Sequence, residues 1–449
     1  MKITFVGGAS EVTGANYLLE SKNTKLLIDC GLHQGSNENE AQNANPFPYD
    51  LSKINALLIT HSHIDHTGRI AQLVKQGYKN DIYSTHPTKD ASYDLLLDAR
   101  HLMEKEHPNQ EPLYEIEDID RSFSQWKTVK YHEIFEIGDF VIEYFNSGHI
   151  LGSASILIKA EGKSIVFSGD LGNTPAPLVA PTQYIPSADY ALIESAYGNR
   201  VHESVDKRQE LLEDIIEDTV KSGGTLLIPA FAMERTQELL YELNDLVEHG
   251  RIPRVPIYID SPLAIKLTAT YKKYSRDPDF YNKEAIDKLK SGDEIFNFPG
   301  LKFTLTTEQS KEINEVPPPK IIIAGSGMSN GGRILHHELR YLSDSKNSIL
   351  FIGYQSYGTL GRRIIDKEPF VSIFGEKIVV RCKVKAIGGY SAHADQPLLL
   401  KWIEAMKGSL KKVFVVQGEP EESQPLALKI KDTFAIDAIV PEPNQVVDL

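Results

Sequence analysis

Five short apolar runs in this chain lead into a residue that can ionise or bind a metal. They are "TKLLIDCG" with Asp29, "ALLITHSH" with His61 and His63, "DFVIEYFNSGH" with His149, "KSIVFSGD" with Asp170, and "ADYALIES" with Glu194. Strands buried on both faces read as near-continuous apolar runs, so these segments predict sheets covered by helices. The polar residue closing each run then falls where strand gives way to loop, the place where such folds collect their chemistry. Helical patterns lie between the runs, as in "GRIAQLVKQG", where Ile70, Leu73 and Val74 share a face and Gly77 supplies the stop.

The pattern changes near residue 205. There "RQELLEDIIEDTVKSGG" sets Leu211, Leu212, Ile215, Ile216 and Val220 on one helical stripe. Strands and helices then alternate: "TLLIPAF" precedes "RTQELLYELNDLV", "VPIYID" precedes "PLAIKLTATYKKY", and "KIIIAGSG" precedes "RILHHELRYL" and the strand "SILFIGYQ". That alternation predicts a mainly parallel sheet flanked by helices, with binding in loops at the carboxyl ends of its strands. From about residue 381 the β-rich style returns in "EKIVVRCKVKAIGG" and "KVFVVQGEP". The expected organisation is a first domain over 1–203, an insertion over 204–380, and a return to the first domain over 381–449.

Composition narrows the chemistry. With 449 residues, 41% of them hydrophobic, the chain can bury more than one core. No uncharged apolar run approaches the roughly 18 to 20 residues needed to span a bilayer, and "MKITFVGGAS" alternates like a strand, so the expectation is a cytoplasmic protein without a membrane partner. Cys30 and Cys382 are the only cysteines, which excludes a disulfide framework and a cysteine-based zinc site. Any metal must therefore use histidine and carboxylate. The net charge of −14 opposes a general affinity for polyanions but leaves a local basic track open. No low-complexity segment or fixed-period repeat is present.

The densest feature is "HSHIDH", residues 61–66. In an extended segment residues two apart point the same way, so His61 and His63 can face one ion, while Asp65 and His66, in the turn before a helix, can reach a second. Four residues cannot complete two sites, because each zinc takes about four ligands. His149 in "NSGHILGSAS" and Asp170 in "IVFSGDLGN" supply strand-end partners beside glycines, and an aspartate can bridge two ions with its two oxygens. Asp29 suits either of two roles, orienting a ligand from behind or forming a turn before Gly31.

This assembly resembles the metallo-β-lactamase fold hydrolases, whose motifs it matches in order across the first 175 residues. The resemblance implies an αββα sandwich in which His61, His63 and His149 hold one zinc, Asp65 and His66 hold another, and Asp170 bridges them. Further motifs, "ESAYGNRVH", "PAFAMERTQELL", "IYIDSPLA", "AGSGMSNGGRILHH", "GYQSYGTLGRR" and "GGYSAHAD", are similar to those of the β-CASP group of metallo-β-lactamase nucleases. That group includes the RNA-cutting subunit of the eukaryotic cleavage and polyadenylation machinery and its prokaryotic relatives. The likeness implies an inserted parallel-sheet α/β domain, RNA as partner, and phosphodiester hydrolysis by metal-bound hydroxide that leaves a 5′-phosphate on the downstream fragment. Glu194 and His393 match the pair beside the metals, with His393 protonating the leaving oxygen and Glu194 orienting it. Asp65, Glu194 and His393 are thus the candidate catalytic residues.

A phosphate substrate also agrees with the residues themselves. Gly325, Ser326, Gly327, Ser329, Gly331 and Gly332 lie between a strand and a helix, where amides can converge on an anion, and Arg333, Arg362 and Arg363 can add backbone contacts. An ordinary Gly-rich turn fits that stretch equally well. Of His336 and His337, about 100° apart on a helix, at most one can face a groove.

One position departs from the family. A histidine in a strand ending V-H-G-E usually completes the second metal; here the stretch reads "KVFVVQGEP", with Gln417 in its place, and no histidine follows His393. A carboxamide oxygen binds zinc far more weakly than imidazole, so two zincs are expected with the second site weak or part-filled, or taken by manganese. Besides an RNA hydrolase, either endonucleolytic or processing 5′ ends, two readings remain: an RNA-binding protein that has lost cleavage through Gln417, and a small-ester or thioester hydrolase consistent with the acidic charge. The sequence leaves a homodimer open.

Overall fold

The computed structural model describes the whole chain apart from residues 107, 203–205, 354, 356 and 357. Two compact units result, one joining Met1–Val201 to His393–Leu449 and the other formed by the inserted His202–Ala392.

In the first unit the apolar runs become two seven-stranded sheets. One has the spatial order Val446–Asp448, Lys2–Gly7, Asn16–Glu20, Lys25–Ile28, Ala56–Leu58, Asp81–Thr85, Trp126–Val129. The other runs Asp437–Ile439, Lys412–Val416, Tyr190–Glu194, Lys163–Phe167, Ala154–Ala160, Phe140–Asn146, Phe135–Ile137. Their inner faces meet through aromatic pairs, Phe5 with Phe414 at 5.2 Å between ring centres and Tyr17 with Phe167 at 6.0 Å. Their outer faces are covered by helices. Leu27, Leu57 and Ile82 pack with Ile70, Leu73 and Val74 of the helix Ile70–Lys75. Val166, Ile193, Val413 and Val415 pack with Trp402 and Ile403 of Gln396–Glu404 and with Leu426 and Ile430 of Pro420–Phe434. Within Lys412–Val416, Phe414 turns to the other sheet while Val413 and Val415 turn to the helices, which is why the run is apolar throughout. This is the αββα sandwich.

Strand direction then decides where the polar ends go. Lys25–Ile28 runs parallel to Ala56–Leu58, and Lys163–Phe167 runs parallel to Tyr190–Glu194, itself parallel to Lys412–Val416. Phe140–Asn146 and Lys163–Phe167 are both antiparallel to Ala154–Ala160, so they share a direction too. Within each sheet the strands leading to the candidate residues therefore finish on one edge.

The inserted unit holds a six-stranded sheet of order Leu301–Phe303, Ile257–Ile259, Lys320–Ala324, Thr225–Pro229, Ser348–Ile352, Lys383–Ile387, parallel at every pairing. Two expectations change here. The β-rich stretch from 381 does not return to the first unit: Lys383–Ile387 pairs with Ser348–Ile352, and the chain re-enters the first unit at His393. An apolar run announces a strand but not the sheet it joins, so the style of "EKIVVRCKVKAIGG" could not fix that choice. On the helix Asp206–Lys221, Leu212, Ile215 and Ile216 are buried as expected, but Leu211 is 39% exposed and Thr219 completes the buried face instead. The boundary placed at 203/204 and Tyr354, Ser356 and Tyr357 of "GYQSYGTLGRR" lie outside the described residues. Among the described residues no helix is long and apolar enough to cross a membrane.

The helix Ile334–Tyr341 buries a carboxyl group in the second unit. Glu338 is fully buried; one of its oxygens accepts from the Ser329 hydroxyl, and the other has no partner among the described residues. Burial pushes its carboxyl from an ordinary value of 4.5 up to about 8. The folded chain thus holds a proton that the unfolded chain releases at lower pH, so stability from this group is full below about 4.5, declines as pH rises toward about 8, and is absent above it. The difference in unfolding free energy between Glu338→Gln and the wild type should shift in the variant's favour between pH 5 and pH 8, by roughly 1.4 kcal/mol per pH unit at the steepest. Urea titrations at several pH values measure it, and a pH-independent difference would contradict the buried, protonated acid.

Candidate functional site

The segment after Ala56–Leu58 bends at Thr60 and reaches His63, the residue before a short helix Ile64–Thr67. Asp65 and His66 therefore lie on a helical turn rather than in an irregular one. His63 Nδ1 lies 3.2 Å from both His61 Nε2 and His149 Nε2, and Asp170 Oδ2 lies 3.4 Å from each of the latter two nitrogens. All four residues can offer a ligand atom within 4.8 Å of the others. The second oxygen of Asp170, Oδ1, is 3.3 Å from His66 Nε2, which is 3.8 Å from Asp65 Oδ2. One carboxylate thus addresses two groups of side chains, one through each oxygen. Two glycines permit the approach. A Cβ at Gly172 would lie 1.8 Å from the carbonyl oxygen of Gly148, and one at Gly31 would lie 1.5 Å from that of Asp65.

Charge separates the two groups. Burial, reinforced by neighbouring imidazoles, holds His61 below its ordinary value and His63 and His149 well below theirs, so these rings are neutral and present lone pairs. Burial also opposes the charged form of His66, but Asp170, Asp29 and Asp65 outweigh it and hold that ring well above the ordinary value. For Asp170 burial is likewise overcome, here by His66, His61 and His393, which keep its carboxyl well below the usual range. Burial raises Asp65 and Glu194. The cluster concentrates carboxylates around neutral imidazoles, an environment that attracts positive charge.

Behind it, the Asp29 carboxylate bonds to His66 as well as to Thr60. It accepts from the Thr60 amide and hydroxyl, each at 2.8 Å, and from His66 Nδ1 at 2.7 Å, while its backbone sits in the left-handed region at φ 58°. Engagement of His66 Nδ1 with Asp29 leaves Nε2 as the ring atom toward Asp170 and Asp65. Glu194 Oε1 accepts from the Leu171 amide at 2.5 Å, and Glu194 Oε2 lies 3.0 Å from His393 Nδ1, which is 3.7 Å from Asp170 Oδ2. Glu194 is fully buried and the His393 side chain is 27% exposed. Burial works against the His393 cation, yet Glu194 and Asp170 raise the ring to about 9. Gln417, buried and at φ 51°, places its side-chain nitrogen 2.9 Å from His66 Nε2 and 3.0 Å from Asp170 Oδ1. The structure therefore brings the candidate metal and catalytic residues of the sequence, with Asp29 and Gln417, into one cluster.

The candidate phosphate-binding residues form a separate group in the inserted unit, and their polar atoms are engaged differently from expectation. Ser326 Oγ accepts from the Asn330 and Gly331 amides at 3.0 and 3.2 Å, and the Ser326 and Ser329 amides bond to carbonyls of Gly331 and Ser326. Gly327 packs on the Phe231 ring and its carbonyl accepts from Gln355, while Gly332, at φ 75°, lies against Gly325. Four of the loop's amides, those of Ser326, Ser329, Asn330 and Gly331, are thus bonded within the loop rather than offered to an anion. Arg333 donates to Asp260 at 2.7 Å and to the carbonyls of Thr304 and Leu305, each at 2.9 Å, and so braces this loop. Arg362 and Arg363 pair with Asp366 and Glu368. Of the two adjacent histidines, His337 is buried against Asp260 at 2.7 Å and His336 stacks near Phe374.

Sequence reasoning missed two participants. Tyr17 reaches Gln417 Oε1 at 3.4 Å, and nothing in the strand "NYLLE" marks it. Asp260 accepts from Arg333, His337, Thr304 and Ser310. Its signal was present, a carboxylate closing the strand "IYID" before the Ser-Pro start of a helix.

Comparison with known proteins accords with this geometry. Residues 18–176 match the metallo-β-lactamase superfamily domain, 236–364 the Beta-Casp domain, and 377–441 the Zn-dependent metallo-hydrolase RNA specificity domain. The chain is 38% identical to Ribonuclease TTHA0252 of Thermus thermophilus, covering 94% of each protein. It is 31% identical to an RNase J-like protein of Methanocaldococcus jannaschii over 98% of this chain and 97% of that one, and 30% identical to the transcription termination factor FttA of Methanosarcina mazei over 97% and 70%. A solved protein of unknown function from Enterococcus faecalis shares the fold, with a TM-score of 0.58 at 12% identity over 100% of this chain and 99% of that one. The chain belongs to the β-CASP family of metallo-β-lactamase fold hydrolases. That family binds divalent metal, and the donor set fits one: neutral imidazole nitrogens and carboxylate oxygens converge in a buried, anion-rich cluster.

Asp29→Ala removes the acceptor for three buried donors and puts alanine at a left-handed backbone position, so unfolding in urea with chelator present should show a loss of about 3 kcal/mol. Asp29→Asn, which tolerates that backbone and still accepts, should lose about half as much. Equal losses for the two would show that the acceptor is not what matters.

Proposed function

We propose that this chain is a metal-dependent phosphodiesterase that cleaves RNA. In this reading His61, His63, His149 and Asp170 would hold one zinc, and Asp65, His66 and Asp170 would face a second divalent ion. Bound there, such ions acidify water and neutralise charge developing on phosphate oxygens. The relatives named as ribonucleases and the match to an RNA specificity domain support RNA as the substrate class.

The observation that carries the reading is the pairing of His393 Nδ1 with Glu194 Oε2 at 3.0 Å beside Asp170. Glu194 is anchored by the Leu171 amide on its other oxygen and by the Ser168 hydroxyl on its backbone N–H, so its position is fixed. It keeps the His393 ring charged, and a charged imidazole is a proton donor at neutral pH. As the bond between phosphorus and the 3′ oxygen breaks, His393 passes a proton to that oxygen and Glu194 remains to hold the ring in place. Uptake of that proton prevents a free alkoxide from re-attacking, and the downstream fragment keeps its 5′-phosphate.

Incubation of end-labelled RNA with the zinc-loaded chain should give fragments bearing 5′-phosphates. Asp65→Ala should abolish cleavage, and His393→Ala should lower kcat by about 100-fold or more with little change in RNA affinity. RNA bound but not cut, with zinc or manganese added, would replace the reading with an RNA-binding role. Thioester hydrolysis without RNA affinity would replace it with a small-substrate hydrolase.

A further inference from the structure

Gln417 holds a place that chemistry would give to a metal ligand, yet the hydrogen-bonding groups around it suit its amide nitrogen. Its backbone is fixed by donation from its N–H to the Gly8 carbonyl at 2.7 Å and by a left-handed φ of 51°, so the side chain cannot withdraw easily from the cluster. Its Nε2 lies 2.9 Å from His66 Nε2 and 3.0 Å from Asp170 Oδ1. His66 Nδ1 is engaged with Asp29, so Nε2 is the ring atom turned toward the Gln417 amide. The amide nitrogen therefore stands between that ring atom and the Asp170 carboxylate, to which it donates. These are the same two atoms that would ligate the second ion. On the opposite side, Oε1 accepts from the Tyr17 hydroxyl at 3.4 Å.

The arrangement has an alternative that becomes favourable once a cation lies between these groups. Rotating the carboxamide by half a turn exchanges its oxygen and nitrogen. Oε1 then faces His66 and Asp170, where it is a ligand for an ion, and the amide hydrogens face Tyr17, whose hydroxyl can accept as readily as donate. With the ion in place Asp170 and His66 have a partner and Tyr17 can pair with the turned amide, so no buried polar atom is left unpaired.

Resting on the phosphodiesterase reading, we propose that Gln417 is an internal competitor for the second metal site: its amide bridges His66 and Asp170 until a divalent ion displaces it by turning the carboxamide over on Tyr17. The chain then holds one ion firmly, through His61, His63, His149 and Asp170. It takes the second reversibly, so activity follows the free divalent-ion concentration. The competitor must be turned before the ion can enter, and the oxygen it then offers is a weaker zinc ligand than imidazole.

The test is a zinc count and zinc titration of the full chain, with calorimetry reading each binding event. After dialysis against metal-free buffer the wild type should retain one zinc per chain. Its second zinc should bind at least about tenfold more weakly than that of Gln417→His, which should retain two. Tyr17→Phe removes the group that receives the turned amide, so it should weaken the second zinc by about tenfold or more and leave the first unchanged. A purely structural role for Tyr17 would lower thermal stability without separating the two affinities. The proposal is overturned if the wild type retains two zincs through dialysis, or if Gln417→His leaves the second affinity within about threefold of the wild type. One zinc retained with no RNA cleavage at any zinc level would uphold the Gln417 assignment while removing the phosphodiesterase reading. Retention of none would remove both.

Discussion

The cluster depends on one buried carboxylate, Asp170, standing among imidazoles that arrive from separate strand ends. Its Oδ2 serves His61 and His149 and its Oδ1 serves His66, so it ties the "HSHIDH" segment of one sheet to the strand ends of the other. Burial alone would favour the neutral acid; the surrounding rings reverse that and keep it ionised. Much else in the first unit follows from supplying that anion with neighbours. Gly172 allows the Asp170 loop to reach the loop of His149, Gly31 lets the Asp29 loop touch the backbone of Asp65, and Asp29 fixes which nitrogen of His66 points inward.

The site was more legible in the sequence than the limits of the units. A histidine or aspartate closing an apolar run carries its own information, because the run places it at a strand end and parallel strands bring such ends to one edge. That logic singled out His61, His63, His149 and Asp170 without knowledge of which strand neighbours which, while Glu194 and His393 came from the family resemblance. The same logic fails for Lys383–Ile387, since its pattern fits an edge strand of either sheet and only pairing with Ser348–Ile352 decides. Tyr17 was illegible for a related reason. Its role comes from a contact 400 residues away in sequence, with a side chain whose own position depends on a left-handed backbone.

Arg333 shows how a chemically reasonable assignment changes once hydrogen bonds are counted. A guanidinium beside a glycine-rich loop at the end of a parallel strand invites a phosphate. Here the carboxylate of Asp260 and two backbone carbonyls take that role, and the amides of Ser326, Ser329, Asn330 and Gly331 are turned inward onto Ser326 and the loop's own carbonyls. The glycines are needed for close packing, against Phe231 and against Gly325, rather than for an open cradle.

Three buried acids in this chain meet the same desolvation cost with different outcomes, and the difference tells which of them calls for an ion. Asp260 gathers four donors, from Arg333, His337, Thr304 and Ser310, and its carboxyl is drawn down to about 2. Glu338 has one donor, Ser329, and is driven up to about 8, where protonation removes the charge. Asp170 is ionised like Asp260, but imidazoles, His66, His61 and His393, rather than a full set of donors hold it so against the cost of burial. A donor-saturated carboxylate needs nothing more, and a protonated one attracts nothing. Of the three, only Asp170 stands, among the described residues, in a group of side chains able to ligate an ion, with His61, His63 and His149, so a cation could take over the charge compensation that its imidazoles now supply.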